Sequence, residues 1–194
     1  MIQADDMFKA FEPHREDAVV IVTGTGGKHW ADYTTKQNRD LNMGGAMGHT
    51  TSAALGLALG LPDEKVVLFD SEGALLMNLG IIATIAGQKP KNFLHLLMDN
   101  ECYATTGGQP VPNSQDINYA GMAKEAGYTA AYSFDNIEDF TTNIGNIMKE
   151  EGPVFVAMKM VPEVENEPIG NRPRRVTRSR AETITALRSE LGIS

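Results

Sequence analysis

Short apolar runs recur along the chain, and each gives way to glycine or small polar residues before a longer stretch with helical spacing. Residues 18–23, Ala-Val-Val-Ile-Val-Thr, show no polar alternation, the pattern of a strand buried on both faces. Residues 65–70, 93–98 and 153–160 are further apolar runs and, with a short one over 129–134, predict four more strands. Between them, helical spacing covers residues 4–11, 49–59, 74–86, 119–125 and 137–150, with a last helix over 180–191. Gly24-Thr-Gly-Gly27 reads as a turn belonging to neither neighbour, and residues 28–43 as a polar, irregular connection. Strand, glycine turn and helix in alternation predict an α/β fold, a mainly parallel sheet between two helical layers, with ligands beyond the carboxyl ends of the strands. Residues 1–161 make one such domain, and 162–194 a C-terminal arm and helix that pack on it or on a partner.

Composition narrows the function classes. The chain has 194 residues, 42% hydrophobic and 22% charged, enough for a full core, and a formal net charge of −8 that speaks against nucleic-acid binding. Its single cysteine, Cys102, allows no internal disulfide and no cysteine-ligated cluster, which fits a reducing, cytoplasmic setting. The charged, amphipathic N-terminus lacks the apolar core of a signal peptide. The uncharged run over 73–87 is shorter than the roughly 20 residues a membrane span needs and reads as a buried core helix. The basic stretch over 172–180 reads as a solvated arm, with an anion-binding rim as the sharper alternative.

Two places carry candidate chemistry. Gly24-Thr-Gly-Gly-Lys-His29 fails as a P-loop, because Val22 and His29 stand where Gly and Ser or Thr are needed, yet a glycine turn after a buried strand frees backbone N–H groups to meet an anion. Asp70-Ser-Glu-Gly73 and Asp99-Asn-Glu-Cys102 each follow a buried strand, one crossover apart, so parallel pairing brings a carboxylate beside an amide. Each has a plain reading alone: Glu72 answers a helix dipole for about 0.3–1 kcal/mol, and Asn100 satisfies a turn. Together they form an oxygen-only donor set suited to Mg²⁺.

These residues resemble the diphosphate-binding domain of thiamine diphosphate enzymes, with Ser71-Glu72-Gly73 and Asp99-Asn100 in place of the family's Gly-Asp-Gly and Asn-Asn. Over most of residues 18–160 the chain looks like the β subunits of sulfopyruvate and phosphonopyruvate decarboxylases, in GALLMNLG, PKNFLHLLMDN and ATTGGQP among other segments. The resemblance implies Glu72 and Asn100 as side-chain ligands of Mg²⁺ (or of Ca²⁺ or Mn²⁺), with the carbonyl of Cys102 as a third. It implies a diphosphate cradle at Thr23, Gly24, Thr25, Gly73, Ala74, Asn100, Tyr103, Ala104 and Thr105. Gly45, Ala46 and Met47 would hold the aminopyrimidine, Met47 as the apolar wedge that bends the cofactor and Gly45 through its carbonyl. His29 and His49 flank the glycine motifs as candidate proton donors or substrate ligands, a structural role being the alternative for each, whereas His95 reads as structural. Glutamate for aspartate adds a methylene, so the metal must shift or its loop retract.

The implied activity is decarboxylation of a 2-oxo acid, such as one with a second anionic group. A carboligase of the acetolactate synthase type, a 2-oxo acid oxidoreductase β subunit and a non-catalytic module of the same fold are the alternatives. In the family a glutamate from a pyrimidine-binding domain activates the cofactor, and this length leaves no room for that domain. The resemblance therefore implies a separate α subunit in an α2β2 or larger assembly.

Overall fold

The computed structural model describes residues 1–43, 45–168, 171 and 178–193. Its centre is a parallel six-stranded sheet in the order β2-β1-β3-β4-β8-β7. The strands are β1 (Val19–Val22), β2 (Asp40–Asn42), β3 (Val66–Ser71), β4 (Phe93–Asp99), β7 (Ala130–Phe134) and β8 (Val154–Lys159). A two-stranded antiparallel hairpin, β5 (Cys102–Tyr103) and β6 (Gln109–Pro110), lies apart from it.

Side chains alternate across the strands, so one sheet feeds two cores. Val20, Val22, Val67, Phe69, Leu94, Leu96 and Met98 face a core closed by α1 (Ala4–Phe11) and α7 (Ile137–Ile147), through Met7, Phe8, Phe11, Phe140 and Ile144. Val19, Ile21, Val66, Leu68, Phe93 and Leu97 face the other core. It is closed by α3 (Thr50–Gly60), α4 (Glu72–Leu76), α5 (Ile81–Gln88) and α6 (Tyr119–Ala126). Leu187 of α8 (Arg180–Glu190) joins that second core, and Arg178 donates to the Gln37 carbonyl and the Asn38 side chain, so the described end of the chain packs on the same domain. Most of the basic stretch over 172–180 lies outside the described residues. Among the described residues no helix is long and apolar enough to cross a membrane.

The structure corrects the sequence reading in three places. The supposed glycine turn at 24–27 is the start of a helix, α2 (Gly24–His29). Glycine is a poor helix former, but a Cβ at Gly26 would lie 3.2 Å from that of Phe69, so close seating on β3 outweighs the propensity. The single helix expected over 74–86 is two, α4 and α5, broken where the Asn78 amide donates 2.9 Å to the Gly48 carbonyl. The irregular stretch 28–43 contains the edge strand β2.

Candidate functional site

From β1 the chain crosses to β2 on one side and returns to β3 on the other, so the strand order reverses beside β1. Crevices at such reversals, beyond the carboxyl strand ends, are where α/β sheets bind ligands. Thr23, Gly24 and Thr25 follow β1 here, Ser71 and Glu72 follow β3, and Asp99 and Asn100 end β4. Gly24 has φ +55°, and a Cβ on it would come 3.3 Å from Ser71, so the backbone of α2 approaches that of β3 at this mouth.

Glu72 is the first residue of α4 and is 0% exposed. Neither of its carboxylate oxygens has a hydrogen-bond partner. Burial, and next the Asp99 charge, push its pKa up to about 8, while the N–H groups of Glu72, Asn100 and Gly73 pull the other way without closing hydrogen bonds to it. An orphaned buried carboxylate costs free energy unless something satisfies it. Asn100, also buried, turns its amide oxygen back to accept from the Cys102 N–H at 3.2 Å and from the Cys102 thiol at 3.7 Å, the weaker of the two contacts. Among the described residues no three acidic, histidine or cysteine side chains converge on one point. A cation at Glu72 must therefore draw on amide, main-chain or ligand oxygens, the donor set that hard cations take.

The turn after Asn100 closes the mouth. Glu101 adopts a left-handed φ of +64°, which reverses the chain so that Tyr103 returns over Gly73. A Cβ on Gly73 would come within 2.5 Å of the Tyr103 ring, so only glycine fits below it. Ala104 is buried and Thr105 half-buried in the following turn, whose Ala104 carbonyl accepts from the Glu165 N–H at 2.9 Å. Thr23 and Thr25 are buried, and Ala74 lies in the first turn of α4.

Gly45 and Gly48 have φ of +79° and +77° and bracket Ala46 and a half-buried Met47, while Gly44 lies outside the described residues. A Cβ at Gly48 would come 3.1 Å from that of Met77, which seats this turn against the break between α4 and α5. The two histidines part company. His49 is exposed just before α3, whereas His29 has both ring nitrogens bound, to Asp5 at 3.0 Å and Glu163 at 2.7 Å.

Two groups near the mouth escaped the sequence reading. Lys159, at the end of β8 and paired in register with Asp99, contacts the Asp99 carboxylate at 3.0 Å and that of Glu101 at 2.6 Å. Burial raises the Asp99 pKa and the Lys159 contact opposes it. A lysine ending a strand was the available signal, but only the β4–β8 register says which carboxylate it meets. The other is Tyr119, whose buried hydroxyl lacks a partner and which no local motif marks.

The family model described as thiamine pyrophosphate enzyme, C-terminal TPP binding domain, matches residues 22–158. The sulfopyruvate decarboxylase subunit beta of Methanocaldococcus jannaschii is 34% identical over 158 residues, 81% of this chain and 83% of that one. The phosphonopyruvate decarboxylase of Streptomyces hygroscopicus is 34% identical over 143 residues, 73% of this chain but only 35% of that protein's length. Benzoylformate decarboxylase from Polynucleobacter necessarius shares the fold, with a TM-score of 0.70 at 17% identity over 87% of this chain and 34% of that one.

Proposed function

The chain belongs to the thiamine pyrophosphate enzymes, whose C-terminal TPP binding domain it carries, and from that premise we propose that it is the diphosphate-binding subunit of a decarboxylase acting on 2-oxo acids such as sulfopyruvate or phosphonopyruvate. The observation that carries the reading is Glu72, a buried carboxylate without a partner, set beside Asn100 at the carboxyl end of the sheet. Glu72 and Asn100, with the Cys102 carbonyl, hold Mg²⁺. The N–H groups of Gly73 and Ala74, the Thr25 hydroxyl and the backbone at Thr23, Gly24 and 103–105 face the diphosphate, where a helix N-terminus favours an anion. Gly45, Ala46 and Met47 line the aminopyrimidine side, with Met47 as the apolar wedge. His49 is exposed and open to substrate, whereas His29 is engaged by Asp5 and Glu163 and serves as a tie within the fold. Bound thiamine diphosphate supplies the carbon nucleophile and the electron sink for loss of CO₂. This chain's residues would hold the cation that offsets the diphosphate charge and fix the diphosphate's orientation through backbone N–H and hydroxyl donors.

The Methanocaldococcus relative matches this chain over most of both lengths and is named as a subunit. A separate pyrimidine-domain chain that supplies the activating glutamate, in an α2β2 assembly, fits that pattern. The test is calorimetry of thiamine diphosphate with Mg²⁺ on the co-expressed pair, followed by CO₂ release from sulfopyruvate and phosphonopyruvate. Binding and turnover by the pair, with negligible turnover by this chain alone, is the expected result. No cofactor binding by the pair overturns the enzyme reading, and full activity from the single chain overturns the need for a partner.

A further inference from the structure

Tyr119, the first residue of α6, is 3% exposed and lies in the core that also contains Leu75 of α4 and Leu97 of β4. Its hydroxyl is buried and makes no hydrogen bond. A buried tyrosine hydroxyl ordinarily finds a partner, because leaving it bare forfeits its hydrogen bond to water. Glu72 presents the same anomaly twice over, with both oxygens buried and bare. Tyr119 shares its core with Leu75, in the helix that Glu72 opens, and with Leu97, two residues before Asp99, which puts both anomalies on the same side of the sheet mouth. Burial first, and then the charges of Asp99 and Glu72, raise the phenol's pKa, which keeps the hydroxyl protonated.

A protonated phenol is a poor direct ligand for a hard cation, but its oxygen accepts one hydrogen bond while its O–H donates another. Mg²⁺ dehydrates reluctantly and keeps several waters, whose protons need acceptors. A hydrated cation would therefore satisfy the hydroxyl and the Glu72 carboxylate together, where no protein group satisfies either. We propose that Tyr119 is an outer-sphere positioning residue of the cation site at Glu72 and Asn100, its oxygen accepting from a water that the cation holds. The proposal rests on the cation reading of the preceding section. Outer-sphere partners of this kind commonly contribute tenfold or more to metal affinity.

The experiment titrates Mn²⁺, as a paramagnetic substitute for Mg²⁺, into the complex of this chain with its partner in the presence of thiamine diphosphate, reading free Mn²⁺ by electron paramagnetic resonance. Wild type, Tyr119→Phe and Glu72→Ala are compared, and each is also melted without divalent cation. Tyr119→Phe should weaken Mn²⁺ binding roughly tenfold and leave the cation-free melting temperature unchanged or slightly raised, because the hydroxyl it deletes bonds to no protein group there. Glu72→Ala should bind more weakly still. Equal Mn²⁺ affinity in wild type and Tyr119→Phe, with Glu72→Ala impaired, overturns the role of Tyr119 alone. A lower cation-free melting temperature in Tyr119→Phe assigns the hydroxyl to the fold and also overturns it. Failure of wild type to bind Mn²⁺ overturns the cation site and the role of Tyr119 with it.

Discussion

Glu72 sets the energetics of the mouth at the residue scale. Its pKa of about 8 stands well above the usual carboxyl value of 4.5, so without a cation the folded chain retains a proton that the unfolded chain releases. Stability of the cation-free protein therefore falls as pH rises through the interval from 4.5 to 8. Glu72→Gln removes that fall: urea melts without divalent cations should show the variant gaining on wild type across the interval, and a gap that does not change with pH would contradict the assignment. Asp70, one strand position before Ser71, shows the opposite economy. It is fully buried, accepting from Thr51 at 2.6 Å, the Ser71 N–H at 2.9 Å and the His95 ring at 3.2 Å. Asp70→Asn should cost about 1–3 kcal/mol in denaturant melts, since an amide has one acceptor oxygen where the carboxyl uses both, and its NH₂ would face a donor. At this scale the sequence was most legible where chemistry was local: a carboxylate and an amide ending two neighbouring strands. It was silent on Tyr119 and Lys159, whose partners lie on other strands and helices, and it left His29 open because Asp5 and Glu163 meet it only through the fold.

Elements obey the same division. The buried strands were plain from their short, nearly uninterrupted apolar runs, because a strand covered on both faces needs no distant information to declare itself. Departures arose where tertiary contact overrode the local pattern. The glycines of α2 read as a turn, yet they let a helix sit on Phe69. The apolar run after Glu72 read as one helix, yet Asn78 leaves it to hold the Gly48 carbonyl. Strand β2 has three residues, too few for any periodicity, and exists because β1 and α8 flank it. The junction of α4 with the β5 strand is tight enough to test. Gly73→Ala puts a methyl group into the Tyr103 ring. It should cost about 1–3 kcal/mol of stability by overpacking and weaken thiamine diphosphate binding by the assembled pair, read by melts and calorimetry. A variant as stable and as avid as wild type would show that Tyr103 moves aside freely.

For the whole molecule, the fold class followed from alternation alone, but the strand order did not, because a run of apolar residues does not say which neighbour it will choose. That order places Lys159 opposite Asp99 and so brings β8 to the mouth. Lys159→Met removes the one cation that contacts both Asp99 and Glu101 among the described residues. The Asp99 carboxyl should then rise further in pKa, and the charge crowding beside Glu72 should make Mg²⁺ binding by the pair more steeply pH-dependent, as calorimetry at pH 6 and 8 would register. Identical pH profiles for variant and wild type would remove Lys159 from the site's electrostatics. The same order also has a consequence in time. Strand β8 is the last of the sheet to be synthesised, yet it lies between β4 and β7, and among the described residues β7 pairs with no other strand. On the ribosome, residues 130–147 must wait beside a half-built sheet whose β4 edge is open, until Val154–Lys159 emerges to join them. Non-local parallel pairing of this kind is slow and leaves strand edges bare, so the nascent chain is open to aggregation in the interval between the synthesis of β7 and that of β8.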